Sequence, residues 1–122
     1  WADYATPEEI EGEIKRVYEE SGYVIDPHTA VASLAAKRFK AEDDKPTVVL
    51  STASPYKFPE TVFRAISGQN VKEKGLPALK ELTDLTGPAP KAMEAFLGRS
   101  SREIVIPADE IADEVKRQLD LD

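Results

Sequence analysis

"VVLSTASPYKFPE", residues 48–60, begins as an apolar run and then breaks into hydroxyls, two prolines and one lysine. Taken from Pro46, the run PTVVL has no polar residue in its second half, the pattern of a strand buried on both faces in a parallel sheet. Open α/β sheets bind ligands in the crevice at the carboxyl ends of their strands. This stretch therefore predicts a sheet and also places the chemistry, with Ser51, Thr52, Ser54 and Lys57 at the strand's mouth.

Outward from it, helical and strand-like segments alternate. Toward the N-terminus, Thr6 and Glu9 have capping-box spacing, Pro7 sits where its missing N–H costs nothing, and Ile10, Ile14, Val17 and Tyr18 share a helical face. A helix over 7–20 is predicted, ended by Gly22. Tyr23-Val24-Ile25 reads as a short strand. Asp26 then caps a second helix with Pro27 in its first turn, and Ala30, Val31, Leu34 and Ala35 form a small-residue face suited to packing on a sheet. Toward the C-terminus, Pro59 opens a helix that buries Val62, Phe63 and Ile66 and stops at Gly68. Loops around a short helix near 77–82 follow, then a helix near 89–97 and a strand at 102–107. A last helix starts at Pro107, with Ile111, Val115 and Leu119 at i, i+4 and i+8. No repeat is visible. The expected architecture is one α/β domain over 1–122, its helices alternating with short strands of a mostly parallel sheet.

Composition narrows the function. Sixteen basic against 23 acidic side chains give a net charge of −7, and no basic stripe supplies the phosphate attraction that nucleic-acid binding uses. With no cysteine, disulfides, thiolate metal sites and a cysteine nucleophile are excluded. No secretory or membrane-spanning run is present, so a cytoplasmic protein without nucleic-acid or membrane partners is expected. The chain starts at Trp1 rather than methionine, as a segment of a longer protein would.

Three sites carry possible chemistry, each with a plainer alternative. His28 is the sole histidine, so a histidine metal cluster is impossible, and acid–base work would need carboxylate or hydroxyl partners. A helix's first turn disfavours a positive imidazole. The alternative is a hydrogen bond to Asp26 that fixes the turn. Ser51, Thr52 and Ser54 can donate or accept in a crevice, or can close turns before Pro55 and Pro59. Lys57 would serve as a covalent amine only in apolar surroundings, for which Tyr56 and Phe58 are candidates; otherwise it points to water. No glycine-rich dinucleotide fingerprint, phosphate loop or serine-hydrolase elbow is present.

Two segments, YEESGYVIDPHTAVA at 18–32 and VVLSTASPYKFPETV at 48–62, resemble the C-terminal part of threonine synthase. The likeness covers 8–66 firmly and the rest by general pattern. It implies the C-terminal part of a tryptophan-synthase β-like fold and an enzyme that turns O-phosphohomoserine and water into L-threonine and phosphate with pyridoxal phosphate. In that family the cofactor-bearing lysine and the glycine-rich phosphate loop lie far toward the N-terminus, in motifs with no counterpart here. The resemblance thus implies that Lys57 is not the cofactor lysine, that no catalytic residue lies in these 122 residues, and that the segment alone is inactive. By its match to the Ser-Thr-Ala string, Thr52, with Ser51 second, is implied to meet the pyridine nitrogen. His28 and Thr29 are implied beside the ring, and Lys57 near the substrate phosphate or only closing its turn. A neutral hydroxyl at the ring nitrogen makes a milder electron sink than a carboxylate would. The competing expectation is an independent acidic α/β interaction module without cofactor.

Overall fold

Thr6 accepts a hydrogen bond from the backbone N–H of Glu9, while the Glu9 carboxylate accepts from Thr6 N at 2.8 Å, and this reciprocal cap starts α1 (Pro7–Ser21). At its far end Gly22 takes φ +70°, the left-handed conformation that releases the chain from the helix. The computed structural model describes residues 1–39, 45–95, 97 and 104–121. Asp26 caps α2 (Pro27–Arg38), and α3 (Pro59–Ser67) ends at Gly68 with φ +72°. Then come α4 (Leu76–Thr86), the single turn α5 (Lys91–Glu94) and α6 (Ile111–Gln118). Short 3-10 turns at Pro55–Lys57 and Ala108–Glu110 precede α3 and α6.

The centre of the molecule is helix on helix. α1 packs against α2 and α3, and α3 against α4. Ile14, Ala30, Val62 and Leu82 are fully buried where they meet, with Ile25 and Ala65 nearly so. Each large aliphatic side chain removed from water contributes about 1.5–3 kcal/mol. Polar bonds register the helices as well: Arg64 of α3 holds Glu11 of α1 with its Nε at 3.0 Å.

The expected parallel sheet is absent: among the described residues there is no strand. Residues 46–50 run irregularly, with Val48 78% and Leu50 75% exposed. A strand is completed only by the hydrogen-bond ladder of a neighbour, and no described segment supplies one. Residues 23–25 are likewise unpaired, and Ile25 instead enters the helical core. In the expected strand at 102–107, residues 104–107 are irregular, Val105 is exposed, and 102–103 lie outside the described residues. The small-residue face of α2 meets α1, not a sheet. The chain is therefore helical rather than α/β, which also removes the α/β description from the interaction-module alternative. α4 is longer than the sequence predicts, and buries Ala78, Leu79 and Leu82. α6 forms with its three apolar residues still half exposed, packed mainly against the turn before it.

Candidate functional site

Asp26 is wholly buried, and its carboxylate is the hub of the polar cluster where the two recognisable segments meet. As the α2 cap, Oδ1 accepts from the backbone N–H of His28 at 2.9 Å and of Thr29 at 3.4 Å. The same oxygen lies 2.9 Å from His28 Nδ1. Oδ2 takes the Thr29 hydroxyl, and Thr29 Oγ1 lies 3.2 Å from Ser51 Oγ. Burial pushes the Asp26 carboxyl up, but the bonds from the Thr29 hydroxyl, the His28 ring and the two backbone N–H groups outweigh it and hold the group below its ordinary range. Asp26 is thus an ionised, fully bonded carboxylate beneath the surface.

Around this hub, the structure brings together three of the residues singled out in the sequence. Thr29 is buried, Ser51 is exposed at the start of the loop, and His28 is turned outward with 63% of its side chain accessible. The His28 ring packs at a tilt on Phe58, centroids 5.1 Å apart, so the aromatic residue after Lys57 braces the histidine from the other segment. Thr52 stands next to Ser51 and is exposed rather than packed inside. Lys57 is separate. Its backbone N–H closes the turn on Ser54 O at 3.1 Å, and its exposed side chain lines a cleft of about 400 Å³ with Tyr56, Pro59, Glu60, Leu76 and Met93. Glu60 accepts from Gly75 N at 2.9 Å; that bond holds its carboxyl below its usual range, and Glu60 lines the same cleft as the lysine.

Reading the sequence for caps finds Asp26 but not its place as the hub. The signal was the Asp-x-His-Thr spacing, which puts a ring nitrogen, a hydroxyl and two N–H groups within reach of one capping carboxylate. The bracing by Phe58 carried no such local signal.

The family model for the C-terminal part of threonine synthase matches residues 29–118 of this chain. The chain belongs to the threonine synthase C-terminal family. Thr29, Ser51, Thr52 and Lys57 all lie within the matched span; His28 directly precedes it, and Asp26 lies three positions before its start. Threonine synthase of Saccharomyces cerevisiae is 37% identical over 109 residues, which cover 80% of this chain and 20% of that protein. Threonine synthase-like 1 of Macaca fascicularis is 32% identical over 102 residues, 84% of this chain and 14% of the relative. Threonine synthase of Pseudomonas aeruginosa reaches 46% identity over 56 residues, 46% of this chain and 12% of the relative. The chain thus spans a fifth or less of each of these threonine synthase relatives. Among the described residues no helix is long and apolar enough to cross a membrane.

Proposed function

We propose that this chain is the C-terminal segment of a cytoplasmic threonine synthase that converts O-phosphohomoserine and water to L-threonine and phosphate with pyridoxal phosphate, and that it is inactive alone. Membership of the family carries this reading. In it, Thr52 and Ser51 form one wall of the cofactor pocket, His28 and Thr29 stand beside the ring, and Lys57 answers the substrate phosphate by charge. The donor set fits one edge of a planar heteroaromatic ring: two adjacent exposed hydroxyls next to an outward-facing imidazole. It does not fit the cofactor's phosphate or its covalent anchor, because the sequence has no glycine-rich phosphate loop and Lys57 lies in its own cleft among groups other than the hydroxyl cluster. Those parts belong to the N-terminal part of the full-length enzyme, the first partner of this segment. The exposed Val48 and Leu50, directly before the two hydroxyls, supply apolar surface for it to cover.

When bound, the cofactor supplies an electron sink for deprotonated carbon. The residues of this chain position and polarise: Asp26 holds the α2 N-terminus and the 51–52 loop in register, and the hydroxyls fix the ring edge. The test is Thr52→Ala in the full-length enzyme. Loss of one hydrogen bond, about 1 kcal/mol, is expected to weaken cofactor affinity roughly fivefold with the fold intact. Unchanged affinity and turnover in Thr52→Ala and Ser51→Ala alike would refute the assignment of this wall.

A further inference from the structure

Arg38 stands in the last turn of α2, where the helix's negative end favours a cation, and its guanidinium reaches back to three acceptors at the start of the chain. Nη1 donates to Asp3 Oδ2 at 3.1 Å and to the Tyr4 carbonyl at 2.8 Å, while Nη2 donates to Glu9 Oε1. The other oxygen of Glu9 already accepts from Thr6 N in the α1 cap, so one carboxylate couples the cap to the arginine. Directly after Arg38, Phe39 meets the Trp1 ring at a tilt, centroids 5.3 Å apart. Residues 1–6 carry no buried anchor of their own: Trp1 is 73% and Tyr4 79% exposed. The ends of a domain stay ordered only where something ties them down, and here that is one guanidinium with an aromatic contact beside it. A planar fork serves several acceptors from fixed directions, which a lysine ammonium does not.

We infer that Arg38 is the clasp of a strap, residues 1–6, and that this clasp fixes the direction from which the N-terminal part of the full-length enzyme joins this segment. The second half of that statement rests on the reading of the chain as a segment of a longer enzyme, in keeping with relatives of which it spans a fifth or less. Held at Asp3 and Tyr4, the polypeptide ahead of α1 runs along the C-terminal end of α2 instead of swinging about the start of α1. Arg38 is in this sense a positioning residue for the union of the two parts.

Trp1 is the sole tryptophan, so in the 122-residue chain its emission anisotropy, together with nuclear Overhauser contacts between its indole and the Phe39 ring, reports the strap directly. The wild type is expected to show those contacts and an anisotropy set by tumbling of the whole molecule. Arg38→Ala should lose the contacts and lower the anisotropy with the helical circular dichroism unchanged. Asp3→Ala, outside every helix, should move both readouts in the same direction. Lys37→Ala removes the same charge one position away, where the side chain serves Glu13 instead, and should leave both as in the wild type. In the full-length enzyme, chymotrypsin should cut after Tyr4 several-fold faster in Arg38→Ala than in the wild type, because a held segment is cleaved only when it opens. A wild type without the Trp1–Phe39 contacts, an Arg38→Ala chain that keeps them, or an equal loss in Lys37→Ala overturns the clasp. Equal cleavage after Tyr4 in the two full-length proteins overturns its role in joining the parts. Neither arm reads the cofactor, so a failed strap leaves the assignment of Thr52 and Ser51 standing, and a failed cofactor wall leaves the strap.

Discussion

Glu13 of α1 and Lys37 of α2 meet across the helix interface, Oε2 2.7 Å from Nζ, with the carboxylate 3% and the lysine 44% exposed. Arg16 bonds the same carboxylate from its own helix, at 2.8 and 2.9 Å, and Ser33 Oγ donates to it at 2.6 Å. A charge that is nearly buried must be fully satisfied, and Glu13 is. The Arg16 bonds above all, against the cost of burial and aided by Lys37 and Ser33, bring its carboxyl from 4.5 to about 2.

The folded state therefore holds Glu13 ionised more strongly than the unfolded chain does. Its contribution is complete above about pH 4.5 and is lost as pH falls toward 2. Because both cations are partly in water, that contribution is put at about 1–2 kcal/mol. Urea unfolding of the 122-residue chain from pH 7 to pH 2.5 should show this decline. Glu13→Gln should be less stable at pH 7 by about the same amount and should flatten the profile below pH 4.5. An unchanged profile would mean that the cluster is decorative.

Ile14 is fully buried at the meeting of α1, α2 and α3, whereas Val115 on α6 is 49% exposed. Ile14→Ala should cost about 2–5 kcal/mol through lost burial and the cavity left behind. Val115→Ser should stay within about 0.5 kcal/mol in the same chain. Urea midpoints compared at fixed slope decide it, and a large effect at Val115 would contradict the loose packing of α6.

The cap on α1 is reciprocal, so removing Thr6 Oγ1 leaves the Glu9 N–H without its partner. Thr6→Ala should lower stability by about 1 kcal/mol, and Thr6→Ser should restore most of it. Hydrogen exchange of the first-turn amides should quicken in the alanine variant alone.

Lys57 lies exposed in its cleft and away from the Asp26 cluster, so the substrate-binding role proposed for it can be separated kinetically from cofactor binding. In the full-length enzyme, Lys57→Ala should raise KM for O-phosphohomoserine several-fold and leave cofactor affinity unchanged. A fall in cofactor affinity would instead join Lys57 to the Ser51–Thr52 wall. Unchanged KM would reduce it to the turn closed by its backbone N–H.

What the sequence by itself determined is local. The caps at Thr6 and Asp26, the stops at Gly22 and Gly68 and the buried stripe through Ile14 and Val62 could be read because helical hydrogen bonds and side-chain periodicity span four residues at most. The family likeness in two short strings was legible for the same reason. The partners of those elements were not. PTVVL carries the pattern of a buried strand, yet a strand is defined by a neighbour, and in the structure Val48 and Leu50 face solvent while α2 rests its alanines on α1. Tertiary structure alone joined Ser51 to Thr29, 22 positions away, and set Phe58 against His28. A cap at Asp26 follows from its own turn, but a buried carboxylate linked through Thr29 to Ser51 exists only once α2 and the 51–58 loop lie together.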